Sequence, residues 1–199
     1  MNKLFFILII TVMFFSCTPN QNVSQLAAQN SEPQTTVTVD PAAEISFTFT
    51  RQSGAASNQY AVWIEDAQGQ YVKTLFATRW TANGGFKNRP TSIPLWVKQS
   101  KLNTMPKTQI DAISGATPST GSVTYKWDGT DFNGAPAADG DYVLILEGTL
   151  RWENQAYYRA PIALGQGAAA AQVSVEYTGA RDTNAERAMF RDVRVRVLR

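Results

Sequence analysis

The run Glu44-Ile-Ser-Phe-Thr-Phe-Thr-Arg51 alternates apolar and polar residues from Ile45 to Thr50. A period of two puts Ile45, Phe47 and Phe49 on one side of an extended chain and Ser46, Thr48 and Thr50 on the other. That is the pattern of a strand with one buried face. The same constraint returns at the far end, where Val193, Val195 and Val197 alternate with Arg194 and Arg196. Between them, Tyr60 to Asp66 and Tyr71 to Thr78 are rich in β-branched and aromatic residues, and the short link Ala67-Gln-Gly-Gln70 joins them as a hairpin. Ser122 to Trp127, Asp141 to Trp152, Tyr157 to Leu164 and Gln172 to Tyr177 supply further β runs. Turn residues at Asp128-Gly-Thr-Asp-Phe-Asn-Gly134 and Asp139-Gly140 punctuate them. Seven or eight strands of this kind predict an all-β fold, an antiparallel immunoglobulin-like β-sandwich.

Two stretches depart from the strand period. Ser92 to Lys101 predicts one short helix, with Ser92 as cap, Pro94 in the first turn and Ile93, Trp96 and Val97 on one face. Arg79 to Pro90 reads as loop around Gly84-Gly85. Residues from about 100 to 122 show neither period and read as a long loop. In its middle lies Asp111-Ala-Ile-Ser-Gly-Ala-Thr117.

The start of the chain points to a compartment. Lys3 precedes an apolar run from Leu4 to Phe15, which is too short to span a bilayer and has the form of a secretory signal. Ser16-Cys17 follows directly and resembles the lipobox of bacterial lipoproteins, with Phe14 where that pattern prefers Leu. The resemblance implies a signal peptide over residues 1–16 and an acylated Cys17 holding the protein in a lipid bilayer. Anchoring of that kind needs more than one acyl chain, each contributing about 0.8 kcal/mol per buried methylene. Residues 17–43 are dominated by Asn, Gln, Ser, Thr, Pro and Ala and read as a flexible tether. Residues 44–199 are the right size for one β-sandwich domain.

Composition removes several chemistries. The sequence has no His and a single Cys. Ser-His-Asp triads, His-ligated zinc and His-ligated haem are therefore excluded, and an acylated Cys17 would leave no thiol for disulfides or thiolate metal sites. A formal charge of +2, with Lys and Arg spread along the chain, gives no nucleic-acid footprint. The acidic residues Asp128, Asp131, Asp139 and Asp141 lack the ligand spacing of a calcium loop and are what tight turns require. Glu65 and Asp66 end a strand with no partner for paired-carboxylate hydrolysis.

The heptapeptide at 111–117 is the stretch that carries chemistry. Ser114-Gly-Ala-Thr117 offers a hydroxyl on slim backbone, where Gly115 permits a positive φ and close approach by another molecule, and Ala116 adds little bulk. An ordinary surface loop would use similar residues. The heptapeptide also resembles the Asp-x-x-Ser/Thr-Gly-Ala-Thr motif of flavinylated extracytoplasmic proteins, in which a flavin transferase joins the phosphate of FMN to the final Thr. The resemblance implies Thr117 as acceptor, with Asp111, Ser114, Gly115 and Ala116 as recognition positions.

Two further likenesses give context. Trp127-Asp-Gly-Thr-Asp and Gly140-Asp-Tyr-Val resemble a hairpin of immunoglobulin-like bacterial domains, which bears on fold alone. The order Tyr60-Ala-Val-Trp-Ile-Glu-Asp, the Trp96 helix, the heptapeptide and Trp127-Asp-Gly-Thr-Asp is similar to that of predicted periplasmic proteins filed as a domain of unknown function and associated with flavin transferases and membrane electron transfer. These resemblances imply an extracytoplasmic lipoprotein on a bacterial membrane, carrying covalent FMN and exchanging electrons with a membrane redox partner. An electron carrier of this kind needs no catalytic side chain of its own, since the flavin brings the chemistry. The alternative is a non-enzymatic binding or structural module that contacts a partner protein or glycan. Among the tryptophans, Trp63 and Trp127 sit in strand patterns and read as sandwich core. Trp80 and Trp96 lie nearer the loops, where they could line a flavin site, and Lys98, Lys101 and Lys107 flank the motif.

Overall fold

The computed structural model describes residues 40–54, 56–179 and 184–199. The signal segment, Cys17 and the tether up to residue 39 lie outside the described residues. Among the described residues ten strands follow in order: β1 (Ala43–Phe49), β2 (Gln59–Asp66), β3 (Tyr71–Thr78), β4 (Ser114–Gly115), β5 (Gly121–Trp127), β6 (Gly140–Arg151), β7 (Asn154–Leu164), β8 (Ala169–Ala171), β9 (Ser174–Thr178) and β10 (Phe190–Val197). They form two sheets. One has the order β5-β1-β10-β8, the other β4-β3-β2-β6-β7-β9. Every pairing is antiparallel except that of β3 with β4.

The alternation read from the sequence sets the faces. Ile45, Phe47 and Phe49 of β1 and Val195 and Val197 of β10 pack against Tyr60, Val62 and Ile64 of β2 and Leu144 and Leu146 of β6. This is the interior of a two-sheet β-sandwich. Register fixes it: Ile45 pairs with Val195 and Ser46 with Arg194, so a slip of one residue would turn every valine outward. Ala42 and Ala43, which composition assigns to the tether, belong to the fold. Both are buried, and Ala42 accepts from the amide of Leu198 (2.8 Å) while donating to the carbonyl of Trp127 (2.7 Å).

A second apolar layer lies on the other face of the six-stranded sheet. Ala61 and Trp63 of β2, Ala77 of β3 and Ile145 of β6 pack there against Ala82, Ile93, Trp96 and Leu102. Trp63 therefore faces this second core and not the sandwich interior, whereas Trp127 does lie in the sandwich. The sequence carries a signal for the difference, because Tyr60-Ala-Val-Trp-Ile64 is apolar at every position, as a strand buried on both faces must be.

The covering layer has more helix than the single element expected. Among the described residues, helical turns run over Thr81–Gly85, α1 (Phe86–Asn88), α2 (Pro94–Gln99), Leu102–Thr104, α3 (Lys107–Ile113) and α4 (Asn184–Arg187). The stretch read as loop at 79–90 is thus mostly short helical turns, and that at 100–122 contains two of them together with β4. None is long enough to show a helical period in sequence. Ser92 does not cap α2: its hydroxyl lies 2.6 Å from that of Thr81 and accepts from Arg89 (3.1 Å).

Burial along β10 gives a direct check of the register. Val195 is buried and Arg194 is exposed on the opposite face. Val195→Asp places an unpaired carboxylate in the core, costs several kcal/mol and should abolish the cooperative thermal transition. Arg194→Asp should shift the melting temperature little. Equal tolerance of the two would contradict the register.

Candidate functional site

The heptapeptide splits across three structural contexts. Asp111, Ala112 and Ile113 form the last turn of α3, and Ser114 and Gly115 are β4 itself. Ala116 to Ser119 continue without regular structure toward β5. The reading of 111–117 as loop is corrected for its first five residues. β4 lies parallel to β3 at the sheet edge, with Ser114 opposite Ala77 and Gly115 opposite Thr78.

Gly115 is required for a reason other than the one its sequence context suggests. It is not among the glycines with positive φ. A Cβ at this position would come within 2.8 Å of the Phe76 ring, so the glycine lets an aromatic ring lie against the strand. Phe76 in turn stacks on Tyr125 (ring centroids 4.8 Å apart, 19° between planes) and contacts Tyr60 at 5.1 Å. The Tyr60 and Tyr125 hydroxyls lie 2.7 Å apart. Burial pushes the Tyr125 phenol up to about 12, so both hydroxyls stay protonated near neutrality. The motif backbone is therefore fastened through one ring to the aromatic interior of the sandwich.

Asp111 is exposed. Its carboxylate accepts from Lys107 Nζ at 2.7 Å, and the same ammonium donates to Asn83 Oδ1 at 3.2 Å. An exposed pair of this kind contributes under about 1 kcal/mol to stability, but it does link α3 to the turn that follows Trp80. Ser114 is half-buried and Ala116 exposed. Thr117 is half-buried, and its hydroxyl donates to the carbonyl of Asn58 across 3.4 Å. That is long for a hydroxyl donor, and the oxygen is held only weakly. Asn58 has a positive φ of 65° and is fixed by three bonds: its side chain donates to the carbonyl of Gln52 and to Ser57 Oγ, both at 2.8 Å, and accepts from the amide of Gln52 at 2.6 Å. Of the nearby hydroxyls, Thr120 already accepts from the amide of Arg51 (3.0 Å).

The tryptophans separate cleanly. Trp96 is fully buried in the second core, with its indole N–H on Thr74 Oγ1 (2.8 Å), and cannot line an open site. Trp80 is 46% exposed and shares a shallow depression with Arg79, Asn83, Gly84, Lys107 and Asp111. A separate cleft of about 320 Å³ lies beside Leu75, Met105, Ala112, Ile113 and Phe132. The acidic residues near 130 serve the turn. Asp131 accepts from the amides of Asn133 and Ala135, and Asp128 accepts from Thr130 and Lys73.

Sequence reasoning missed Glu147, which ends the apolar run of β6 and is fully buried. It projects from the same face as Ile145 into the second core. Its two oxygens accept from the backbone amides of Leu95 (3.0 Å) and Trp96 (2.7 Å), while Thr149 Oγ1 accepts from that of Ile93 (2.9 Å). A strand side chain thus supplies the cap that α2 lacks locally, at a point where Ile93 is held in the left-handed region with φ 42°. The only signal in sequence was an acid at an apolar position of the β6 period. Burial pushes the carboxyl up to about 7, against the two amides and the charge of Arg159. A raised value in the folded state means that this group's stabilisation is complete below its unfolded value of 4.5 and is lost as pH rises through about 7. Melting temperatures measured across that window should fall with rising pH in the wild type, by up to about 3 kcal/mol in stability. Glu147→Gln should lack this component, and an unchanged pH slope would contradict the assignment.

Residues 42–183 match the family model described as "Predicted periplasmic protein (DUF2271)", a domain of unknown function. No curated protein and no solved structure matches the chain. The matched span takes in β1 to β9, the second apolar layer and the whole heptapeptide, with β10 beyond it, and the chain belongs to this family of predicted periplasmic proteins.

Proposed function

We propose that this periplasmic-family protein is a membrane-anchored carrier of FMN, bound covalently through a phosphodiester to Thr117 Oγ1 and exchanging electrons with a membrane redox partner. The observation that carries the reading is the state of the Thr117 hydroxyl. It lies two residues beyond the edge strand β4, which pairs with β3, within the Asp-x-x-Ser-Gly-Ala-Thr pattern, and among the described residues it holds only a long bond to a main-chain carbonyl. An acceptor needs such an oxygen, positioned by its backbone yet free to be released.

The residues present fit an FMN phosphodiester. Thr117 supplies the nucleophilic oxygen, and Ala116 before it and Ser119 beyond are exposed, so an enzyme can approach. In the attachment step, Thr117 Oγ1 forms the new bond to phosphorus of a flavin phosphoanhydride donor held by the transferase. The anhydride P–O bond would break, the donor's other phosphate would leave as a phosphate monoester, and the hydroxyl proton would pass to a base on that enzyme. The bound flavin supplies the redox chemistry. The chain itself supplies attachment, orientation through β4 and α3, and shielding by the neighbouring layer. Acylation of Cys17 would hold the carrier at the membrane, with the polar stretch that follows as its tether.

Coexpression with a flavin transferase should yield protein that fluoresces on a denaturing gel. Thr117→Val keeps the β-branched shape, deletes the oxygen and should abolish fluorescence without lowering the melting temperature by more than about 1 kcal/mol equivalent. Ser119→Ala and Thr120→Ala should remain labelled. Fluorescence on Thr117→Val would mean another acceptor. An unlabelled wild type beside an active transferase would favour the other role, a binding or structural module for a partner protein or glycan.

A further inference from the structure

We infer that Trp80, with Arg79 and Lys107 beside it, is the resting place of the flavin ring and phosphodiester carried by Thr117; the inference rests on the function proposed above. Trp80 is a large apolar side chain left 46% exposed in a protein that buries Trp63, Trp96 and Trp127 completely. Its placement is constructed. The ring lies on the backbone of Gly85, where a Cβ would come within 2.4 Å of it, and the Arg89 guanidinium sits 5.0 Å from its centroid. Gly84, at φ 101°, breaks the turn between them. An indole braced by these two neighbours and still 46% exposed presents a positioned surface on which a planar aromatic ring can stack.

Location links this shelf to the motif. Thr78 pairs with Gly115 at the end of β3, Trp80 lies two residues beyond Thr78, and Thr117 lies two residues beyond Gly115. Asp111, the first residue of the motif, lines the same depression as Trp80 and is joined through Lys107 to Asn83. The cleft beside Leu75 and Ile113 is less suited. It draws on β3 from Tyr71 to Leu75, and about 10 Å of strand separates even Leu75, its nearest residue on β3, from Thr78. Charge agrees with the nearer site. Arg79, Arg89 and Lys107 outnumber Asp111 around Trp80, which suits a group with an anionic phosphodiester and an electron-poor ring.

The test places a flavin at position 117 without relying on any transferase. In the protein carrying Cys17→Ser and Thr117→Cys, a maleimide-linked flavin is attached to the one thiol, and its emission is compared before and after denaturation. An indole in contact quenches flavin emission by electron donation, so native emission should be several-fold below the denatured level. Trp80→Phe keeps a ring over Gly85 but cannot donate an electron, and should restore most of the emission. Trp152→Leu, at the other exposed tryptophan, should leave the quenching unchanged. Circular dichroism confirms that each variant is folded. Native emission equal to the denatured level, or equal quenching in Trp80→Phe, would overturn the inference. Absence of FMN from Thr117 in cells would instead overturn the function proposed above and would not alter this readout.

Discussion

A buried carboxyl group fixes the helical layer of this molecule to its six-stranded sheet. Glu147 sits on a central strand of the six-stranded sheet, and its oxygens take up two of the amides with which α2 begins. Thr149, one pleat further along, takes the amide of Ile93 and also bonds the carbonyl of Thr91 at 3.2 Å. Each of these amides, left unpaired in the second core, would cost about 1–3 kcal/mol. Those bonds also maintain Ile93 in a conformation that a β-branched residue rarely adopts. The helical layer is therefore fixed to the sheet at its first turn, and everything that follows it in the chain, including α3 and β4, starts from that point.

From there the chain is returned to the sheet edge by a second constraint of a different kind. Gly115 admits the Phe76 ring, and Phe76 belongs to the aromatic cluster of Tyr60, Tyr125, Phe47 and Phe190 inside the sandwich. The motif thus touches both cores, the second through Ile113 and the first through Gly115. What remains outside is the short stretch from Ala116 to Thr120. Regular structure ends at Gly115, two residues before the hydroxyl that the proposed function uses, which is how an attachment point can be both placed and reachable.

The fold was legible where periodicity is strong. β1 and the stretch of β10 from Val193 to Val197 show strict alternation, and the register Ile45 to Val195 follows from burying both apolar faces. The second core was harder to see, because its helical turns span three to seven residues and its partner face on β6 mixes Ile145 with Glu147 and Thr149. A buried acid at a strand position looks like a solvent-facing residue until the layer that covers it is known. Within the site, the residue types of 111–117 were readable and their reasons were not. Gly115 was explained by conformational freedom, whereas its role depends on Phe76, 39 positions away in the sequence. Trp80 and Trp96 carried the same sequence argument, and packing alone separated the exposed ring from the buried one.

The proposed flavin would be carried on a single hydroxyl, so localising that bond is the most direct test. Lys107 and Lys126 bound one tryptic peptide, residues 108–126, that contains Thr117, Ser119 and Thr120 together. The measurement is a fragment-ion mass spectrum of this peptide from protein recovered from its own membranes. The account predicts an FMN phosphodiester on Thr117 and none on Ser119 or Thr120. An unmodified peptide, or a flavin on another residue, would contradict it.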